Sequence, residues 1–441
     1  MTKLPLTLFE RYLLHEDREA YPCWILIRYR FQGVLQKAAL QTAWERTVKR
    51  HPLLAAVVRR DWLGRLVWEQ APGYEPRVEW REDSQVSGWP YMSPIDLTRA
   101  PGSHLLAIER GGFTDLFTQD HHALHDGAGC FAIVSDLLAF YVRELGADAI
   151  VSEIHPEQFR FRNRFGLTLK DGLRLFPMQV AGLAISLQLH FRKVAPLLPG
   201  PALPDQGHLP PILPALASRR LGSTEFECYR KAAKRLGSGL QDLLIRDVQA
   251  ALGEWLSVHG KAGPMDWVRL TVPINLRRPA NITLPAANLV GLVIIDRRRK
   301  SLANRERLLR RAREDMGFVR RFRLGYVFLV MLALCRLIPG GIRRYARRSG
   351  CRTTFLFTNL GQVMSNSSLY GRNGKVTVPG AILEDISLAA PVSPGTCAGL
   401  SVIVYANGLA ADLSYDSRVL SEAQANDLVQ AFVDQIRLTS N

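Results

Sequence analysis

The stretch Gln119-Asp120-His121-His122-Ala123-Leu124-His125-Asp126-Gly127 packs three histidines, two carboxylates and a glycine into nine residues. It follows a run with the alternation of a strand and precedes an apolar pattern with helical spacing. Titratable groups at this density are costly to bury unless they find partners. The stretch therefore marks a specialised site at a strand-to-helix corner.

On the residues alone, three interpretations of this stretch stay open. His121 with His125, and His122 with Asp126, are each spaced i, i+4, which suits metal ligands on a helix. However, Gly127 interrupts such a helix, and the glutamate of a His-Glu-x-x-His metal motif is missing. The stretch could instead be a polar corner with satisfied histidines, or an acid–base site that holds one imidazole ready to take a proton.

The spacing His121-His122-x-x-x-Asp126-Gly127 resembles the HHxxxDG signature of the CoA-dependent acyltransferase superfamily. That superfamily includes condensation domains, the wax ester synthase/diacylglycerol acyltransferase group and alcohol acyltransferases. The resemblance favours the acid–base interpretation over the other two. Further similarities follow in the same order along the chain: Arg50-His51-Pro52-Leu53 resembles an "RHP-L" turn, Gln241-Asp242-Leu243-Leu244 an "NDVLL" helix start, Val272 to Arg278 a "PVNLR" stretch, and Thr358-Asn359-Leu360-Gly361 an "SNLG" turn.

The expected fold is α+β with two lobes. Periodicity alone predicts a mixed α and β protein in two lobes, because 441 residues exceed a single core of ordinary size. The resemblance adds that both lobes are chloramphenicol-acetyltransferase-like and meet in a V, with the active site at their junction. Residues 195–215 contain seven prolines, which predicts a stiff, extended connector. We therefore place an N-terminal lobe at 1–194, a proline-rich linker at 195–215 and a C-terminal lobe at 216–441.

Local patterns predict the individual elements. A hairpin is expected over His104–Glu109 and Phe113–Gln119, and it delivers the histidines. Arg297–Arg323 is expected to be a basic amphipathic helix, and Asn407-Gly408 to turn a hairpin. Leu324–Cys335 is too short to span a membrane and is expected to be a buried helix, with interfacial contact as the alternative.

The resemblance also implies roles for the residues of the motif. The second histidine, His122, would be the general base, with His121 and Gly127 in support. Asp126 would hold the architecture of the site by pairing with an arginine, and Arg277 is the candidate partner.

A third segment completes the expected site. Thr358, Asn359 and Gly361 lie in the turn that the family places near the active-site channel, so we expect them to bind substrate. No metal and no bound cofactor are expected.

Cysteine usage and the N-terminus bear on location. The six cysteines are scattered without a C-x-x-C pair, which favours free thiols in a reducing compartment. The first residues lack the apolar core of a secretory signal. We therefore expect a cytoplasmic monomer, with peripheral membrane association as an open possibility.

Basic charge is concentrated in one segment. Residues 297–352 hold 18 Lys and Arg against three acids, a net charge of +15 within a total of +17. No nucleic-acid-binding module or aromatic platform accompanies it, so nucleic acid is not an expected partner. CoA phosphates, an acidic acyl carrier protein or an anionic membrane surface remain as candidate partners.

The expected function is acyl transfer from a thioester, either acyl-CoA or a phosphopantetheinyl carrier, to an alcohol or amine. The acceptor would be a small molecule or a lipid. The alternative is a catalytically silent condensation-like protein that binds a carrier protein or lipid. Because every fixed residue of the motif is present, the enzyme is the preferred hypothesis.

Overall fold

The computed structural model describes residues 3–82, 88–90, 92–198, 213–281, 283–348 and 350–440 of the chain. Its strands, numbered along the chain, are β1 Leu4–Pro5, β2 Trp24–Gly33, β3 Ala56–Arg60, β4 Leu66–Gln70, β5 Val78–Glu82, β6 Ser103–Arg110, β7 Phe113–His121, β8 Ala215–Leu221, β9 Trp267–Asn275, β10 Val290–Arg298, β11 Phe355–Gln362, β12 Thr377–Val378, β13 Ala381–Ala389, β14 Ala398–Tyr405 and β15 Gly408–Tyr415.

Helices pack on the strands and connect them. The α-helices are α1 Leu8–Glu16, α2 Lys37–Arg50, α3 Gly127–Glu144, α4 Leu169–His190, α5 Ser223–Arg235, α6 Leu240–Val258, α7 Arg305–Phe322, α8 Val327–Arg336, α9 Gly341–Ala346 and α10 Glu422–Ser440. Short 3-10 helices cover Pro52–Ala55, Pro156–Arg164, Pro279–Asn281, Arg299–Ala303 and Leu324–Tyr326.

Two six-stranded sheets define two lobes, and the fold is α+β as the sequence predicts. The first sheet has the order β12-β13-β2-β7-β6-β5, and the second has the order β10-β9-β11-β14-β15-β8. A small sheet of order β1-β4-β3 lies beside the first lobe. In the first lobe α2 and α3 share a core with the sheet, and in the second lobe α5, α6, α7 and α10 do so.

The division of the chain between the lobes is less simple than predicted. Strands β12 and β13 come from the second half of the sequence but extend the sheet of the first lobe, where β13 pairs with β2 over Ala381–Ala389. Most of the predicted linker, residues 199–212, lies outside the described residues. Where the structure resumes, β8 begins at Ala215 and pairs with β15 at the edge of the second sheet.

The predicted hairpins form, with one shift. β6 and β7 pair antiparallel, and so do β14 and β15. In the second hairpin the two residues with positive φ are Ala406 and Asn407, because Tyr405 pairs with Gly408. The two-residue turn therefore lies one position before the predicted Asn407-Gly408.

The helix predicted over Arg297–Arg323 begins later. β10 continues to Arg298 because its backbone pairs with β9 down to Trp267. A short 3-10 helix follows, and α7 starts only after Asn304, whose side chain accepts a hydrogen bond from the Arg307 amide. Asn304 is thus an N-cap that satisfies one of the free amides of the first turn.

Leu324–Cys335 divides into a 3-10 helix and α8, in which Val327, Phe328, Met331 and Leu332 are buried. The prediction of a helix packed into the core holds for this face. Leu334 lies outside it and is exposed.

Candidate active site at the lobe junction

The histidine motif occupies the corner between β7 and α3. β7 is hydrogen-bonded to β2 on one side and β6 on the other, and it ends at His121. The His121 amide donates to Gly102 O at 2.8 Å, and the His122 amide donates to Cys23 O at 2.8 Å. The backbone therefore holds this turn in place from both neighbouring strands before any side chain contributes.

His122 is held in one tautomer. Its Nδ1 lies 3.1 Å from the carbonyl oxygen of His125, and a carbonyl can only accept, so Nδ1 carries the proton. In the neutral ring Nε2 then has a free lone pair. Burial lowers the pKa of His122, although the carbonyl of His125 and the charge of Asp126 oppose that shift. At neutral pH the ring is therefore uncharged, and its Nε2 can act as a base.

His121 faces the other way and supports the turn. Its side chain is buried, and Nδ1 accepts a hydrogen bond from the Ala123 amide at 3.0 Å. Its Nε2 lies 3.6 Å from a carboxylate oxygen of Asp17. Because Nδ1 is the acceptor, this ring is also fixed in one tautomer, opposite to that of His122.

Asp126 joins the two lobes. It caps α3 by accepting from the Gly129 amide at 3.0 Å, and it accepts from the Leu289 amide of the second half at 2.9 Å. The guanidinium of Arg277 binds both carboxylate oxygens, at 2.7 and 2.8 Å. Burial alone would raise the pKa of Asp126, but Arg277 and the two amides lower it. The structure thus brings together the pair that the resemblance implied.

Asn288 is a site residue that sequence reasoning missed. Its side-chain amide donates to the carbonyl oxygens of His122 and Ala123, at 2.9 and 3.0 Å. Arg277 and Leu289 come from the same β9–β10 connection, which is closed by a 2.8 Å bond from the Leu276 amide to Leu289 O. This connection clamps the histidine turn from the second lobe. No local pattern around Asn288 signals the contact.

Gly127 allows a close contact with the second lobe. A Cβ at this position would lie 2.5 Å from Leu360 Cδ2, well inside van der Waals contact. Leu360 belongs to the predicted Thr358–Gly361 turn, which forms the end of β11. The glycine therefore admits a side chain of the second lobe at the start of α3.

Of the predicted substrate-binding residues, Thr358 and Asn359 line the central cavity. Gly361 does not, and its place in the lining is taken by Leu360. The Gly361 amide instead donates to Asn359 Oδ1 at 2.9 Å, and its φ of +65° puts it in the left-handed region. The bulge in β11 between Asn359 and Gly361 directs Gly361 to this local role.

A cavity of about 900 Å³ runs between the lobes. His122, Gly127 and Phe131 line it from the first lobe, and Pro273 and Leu292 from the second. Its volume lies within the range that holds a ligand with an extended chain. Its wall also carries more basic than acidic side chains: Arg18, Arg192, Lys193, Arg269, Arg277, Arg348 and Arg352 against Glu16, Asp126 and Asp416.

Behind the motif, His125 forms a buried chain with two neighbours. Its Nδ1 lies 3.4 Å from Cys130 Sγ, and its Nε2 lies 3.6 Å from Asp120 Oδ1. Burial alone would lower the pKa of His125, but Cys130 and Asp120 raise it well above its usual value. Burial also raises the pKa of the Cys130 thiol.

Within the described part of the chain, Asp120, His125 and Cys130 are also the group whose donor atoms lie close enough for a metal ion, within 4.8 Å of one another. The sulfur and the carboxylate lie against opposite nitrogens of the ring, which is the arrangement of a hydrogen-bonded chain. A chelate would require them to converge with one ring nitrogen on a single point. The expectation of a metal-free site stays a prediction.

Comparison with solved structures assigns the fold. The first condensation domain of the CDA synthetase matches with a TM-score of 0.71 and 16% identity, over 100% of this chain and 96% of that one. The epimerization domain from the third module of tyrocidine synthetase B matches at 0.68 and 13%, over 99% and 97%. The X-domain in its complex with OxyB, from teicoplanin biosynthesis, matches at 0.62 and 14%, over 100% and 94%. The chain therefore has the condensation-domain fold, in agreement with the superfamily that its motif resembles.

No family model matches the sequence, and no curated protein matches it. At such low identity, the structural likeness establishes the fold alone. Within the described residues, no helix combines the length and the apolar character that crossing a membrane requires.

Proposed function

We propose that this protein is an acyltransferase that moves an acyl group from a thioester to an alcohol or amine. The observation that carries the proposal is the state of His122. Its Nδ1 proton is held by the His125 carbonyl, its pKa is lowered by burial, and it lines the cavity between the lobes. A fixed imidazole with a free Nε2 lone pair is suited to take a proton from an attacking hydroxyl or amine.

In the proposed reaction, the acceptor attacks the thioester carbonyl while Nε2 of His122 takes its proton. The tetrahedral intermediate collapses, the C–S bond breaks and the proton passes from the imidazolium to the departing thiolate. Gly127 and Ala128, in the first turn of α3, line the cavity beside the base. The positive end of this helix would favour the negative charge that develops on the carbonyl oxygen. The step needs no covalent acyl-enzyme and no cofactor.

The donor is proposed to be a phosphopantetheine thioester, carried either by CoA or by an acidic carrier protein. Arg348 and Lys193 line the cavity, and among the described residues no carboxylate lies within 4.0 Å of either side chain. Unpaired cations of this kind are suited to phosphate groups. The apolar part of the wall, with Phe131 and Leu292, suits an acyl chain or a lipid acceptor.

The proposal is tested by incubating the purified protein with acyl-CoA thioesters of several chain lengths and with acyl carrier proteins. Each donor is paired with alcohol and amine acceptors, and products are detected by mass spectrometry. Acceptor-dependent ester or amide formation with release of the free thiol is the expected result. Absence of turnover with every pair, from protein that binds the thioester, would favour the alternative below.

The alternative is a catalytically silent protein that binds a carrier protein or lipid. It is favoured by one comparison, since the X-domain, which shares this fold, was solved in a complex with OxyB. Release of the thiol distinguishes the two hypotheses, because a catalytically silent protein binds the donor without releasing its thiol.

A further inference from the structure

Helix α4 presents an apolar face that no described residue covers. Of its 22 residues only Gln179 and Gly182 are buried. The outer face carries Leu169, Leu173, Phe176, Val180 and Leu187, each between 47% and 82% exposed. Their spacing of four, three, four and seven residues places them on one side of the helix. Leaving so many large apolar side chains in water is unfavourable unless something covers them.

The opposite face of α4 is already occupied. Gln179 Nε2 donates to Phe322 O at 3.1 Å, and a Cβ at Gly182 would lie 2.6 Å from Val327 Cγ2. At the last residue of the helix, His190 Nε2 lies 3.1 Å from the Tyr345 hydroxyl. These contacts fix α4 on the segment that leads into α8 and on α9. Helix α4 is therefore attached to the protein through this side, and its outer face is a fixed part of the surface.

The charges around α4 are mostly basic, and the one acid of the helix, Asp171, pairs with Arg278 at 2.9 Å. From Gly172 to Leu198 the sequence contains no Asp or Glu, while Arg174 lies near the start of the helix and Arg192 and Lys193 follow its end. Arg160 and Arg164, just before the helix, are exposed and stack on the exposed Phe161. Cations thus lie at both ends of the apolar face.

A second group of cations lies on α8 and α9 and directly after α9, close to α1. Arg336, Arg343, Arg344 and Arg347 are exposed, and among the described residues none has a carboxylate within 4.0 Å. Burial lowers the pKa of His15 on α1, and Arg343 and Arg347 lower it further. These two arginines therefore lie close enough to α1 to disfavour a proton on His15. Such a concentration of charge attracts an anionic partner.

Apolar side chains project among these arginines as well. At the end of α8, Leu337 is 78% exposed and Ile338 is exposed beside it. Trp62, at the tip of the β3–β4 hairpin, is 88% exposed, and the neighbouring Asp61 and Arg65 lie within electrostatic reach of Arg11 on α1, as does Arg336. Helix α8 packs against α4, α1 and α9, and the hairpin lies near α1, so these elements are connected, and we call them together the basic–apolar layer.

We propose that the basic–apolar layer docks on the surface of an anionic phospholipid bilayer. The outer face of α4 enters the headgroup region, and the arginines of α8 and α9 contact lipid phosphates. A surface helix with an uncovered apolar face and a predominance of cations around it is the signature of interfacial binding. This inference does not depend on the acyltransfer reaction, since it concerns a surface outside the catalytic residues.

The layer also adjoins the cavity. Gly182 and Ile185 of α4 and Phe328 and Met331 of α8 line the space that His122 faces. A protein docked through α4 would hold one wall of the cavity against the bilayer. An amphiphilic molecule could then pass between the bilayer and the cavity with little exposure to water.

The first test replaces three side chains of the outer face, Leu173, Phe176 and Val180, with serine. Sedimentation is measured with vesicles of phosphatidylcholine and phosphatidylserine. The triple variant should fold normally, because none of the three side chains is buried. Its partition coefficient onto the vesicles should fall about tenfold or more. The exposed Val258 at the end of α6 provides the matched control, and Val258→Ser should bind like the wild type.

The second test replaces Arg343, Arg344 and Arg347 with glutamine. Binding should weaken strongly and should fall with added salt, because phosphate contacts are screened. A variant with Lys231, Lys234 and Arg372 changed to glutamine loses the same charge from exposed positions elsewhere and should retain binding. Circular dichroism and thermal melting establish that each variant is folded.

Three results would overturn the proposal. The first is no binding of the wild type to anionic vesicles at low salt. The second is binding that the α4 variant leaves unchanged. The third is a wild type that dimerises in light scattering while the α4 variant is a monomer, since a second copy would then cover this face.

Discussion

Helices α3 and α4 are both apolar and both line the central cavity, yet their surroundings are opposite. α3 has 18 residues, of which eleven are buried, whereas α4 has 22 residues, of which two are buried. α3 shares a core with α2 and the first sheet and begins directly after the histidine motif. α4 is attached by one narrow face. Apolar residues at helical spacing therefore predict a helix, but they do not tell whether protein or a lipid bilayer covers its apolar face.

The largest expected effect is at the start of α3. Asp126→Asn should destabilise the fold by about 3–5 kcal/mol, because Arg277 would lose its countercharge in a largely buried position. The free energy of unfolding is measured by denaturant titration. Arg277→Gln and the double variant complete a double-mutant cycle, in which the double variant should cost less than the sum of the single ones.

One outcome would contradict the structural role of Asp126. If the Asp126→Asn variant melts like the wild type and loses only activity, Asp126 takes part in catalysis. The pair that it forms with Arg277 would then not stabilise the lobe junction.

The next prediction compares the two helices directly. Leu138→Ala in α3 should cost about 2–5 kcal/mol, because Leu138 is fully buried and its loss leaves a cavity. Leu173→Ala in α4 should change stability by no more than about 0.5 kcal/mol, because the side chain is exposed. Both are measured in the same denaturant series without lipid. Equal losses at the two positions would mean that α4 is covered by protein in solution.

A smaller effect is expected in the dependence of rate on pH. Burial lowers the pKa of His122 below the ordinary 6.5, so the neutral base persists below that pH and is lost only as the pH falls through the lowered value. kcat/KM with an alcohol acceptor should therefore stay near its plateau at pH 6.5, where a base of ordinary pKa would have lost about half. A midpoint at or above pH 6.5 would contradict the buried, neutral state of His122.

The sequence predicts the parts of this site that are close along the chain. The strand–turn–helix corner follows from the period of residues 113–145, and the resemblance names His122, Asp126 and Arg277. The contacts that Asn288 and Leu360 make with the motif were not predicted, because both residues reach it only when the lobes pack together. Their contacts depend on the β9–β10 connection and on a bulge in β11, neither of which has a local pattern.

The exposure of α4 could not be predicted from the sequence either. The apolar spacing of its residues would equally fit a core helix. Conversely, the late start of α7 depends on strand pairing between β10 and β9, which outweighs the helical propensity of Arg297 and Arg298. In both helices, tertiary contacts determine what the local sequence leaves open.

The proposed function depends on His122 removing the proton of the acceptor. Its most direct test compares His122→Ala with His121→Ala for an active thioester–acceptor pair, with melting temperatures as the measure of folding. Turnover of His122→Ala should fall by about a hundredfold or more with melting unchanged. Full activity of His122→Ala, together with an inactive but folded His121→Ala, would contradict the assignment.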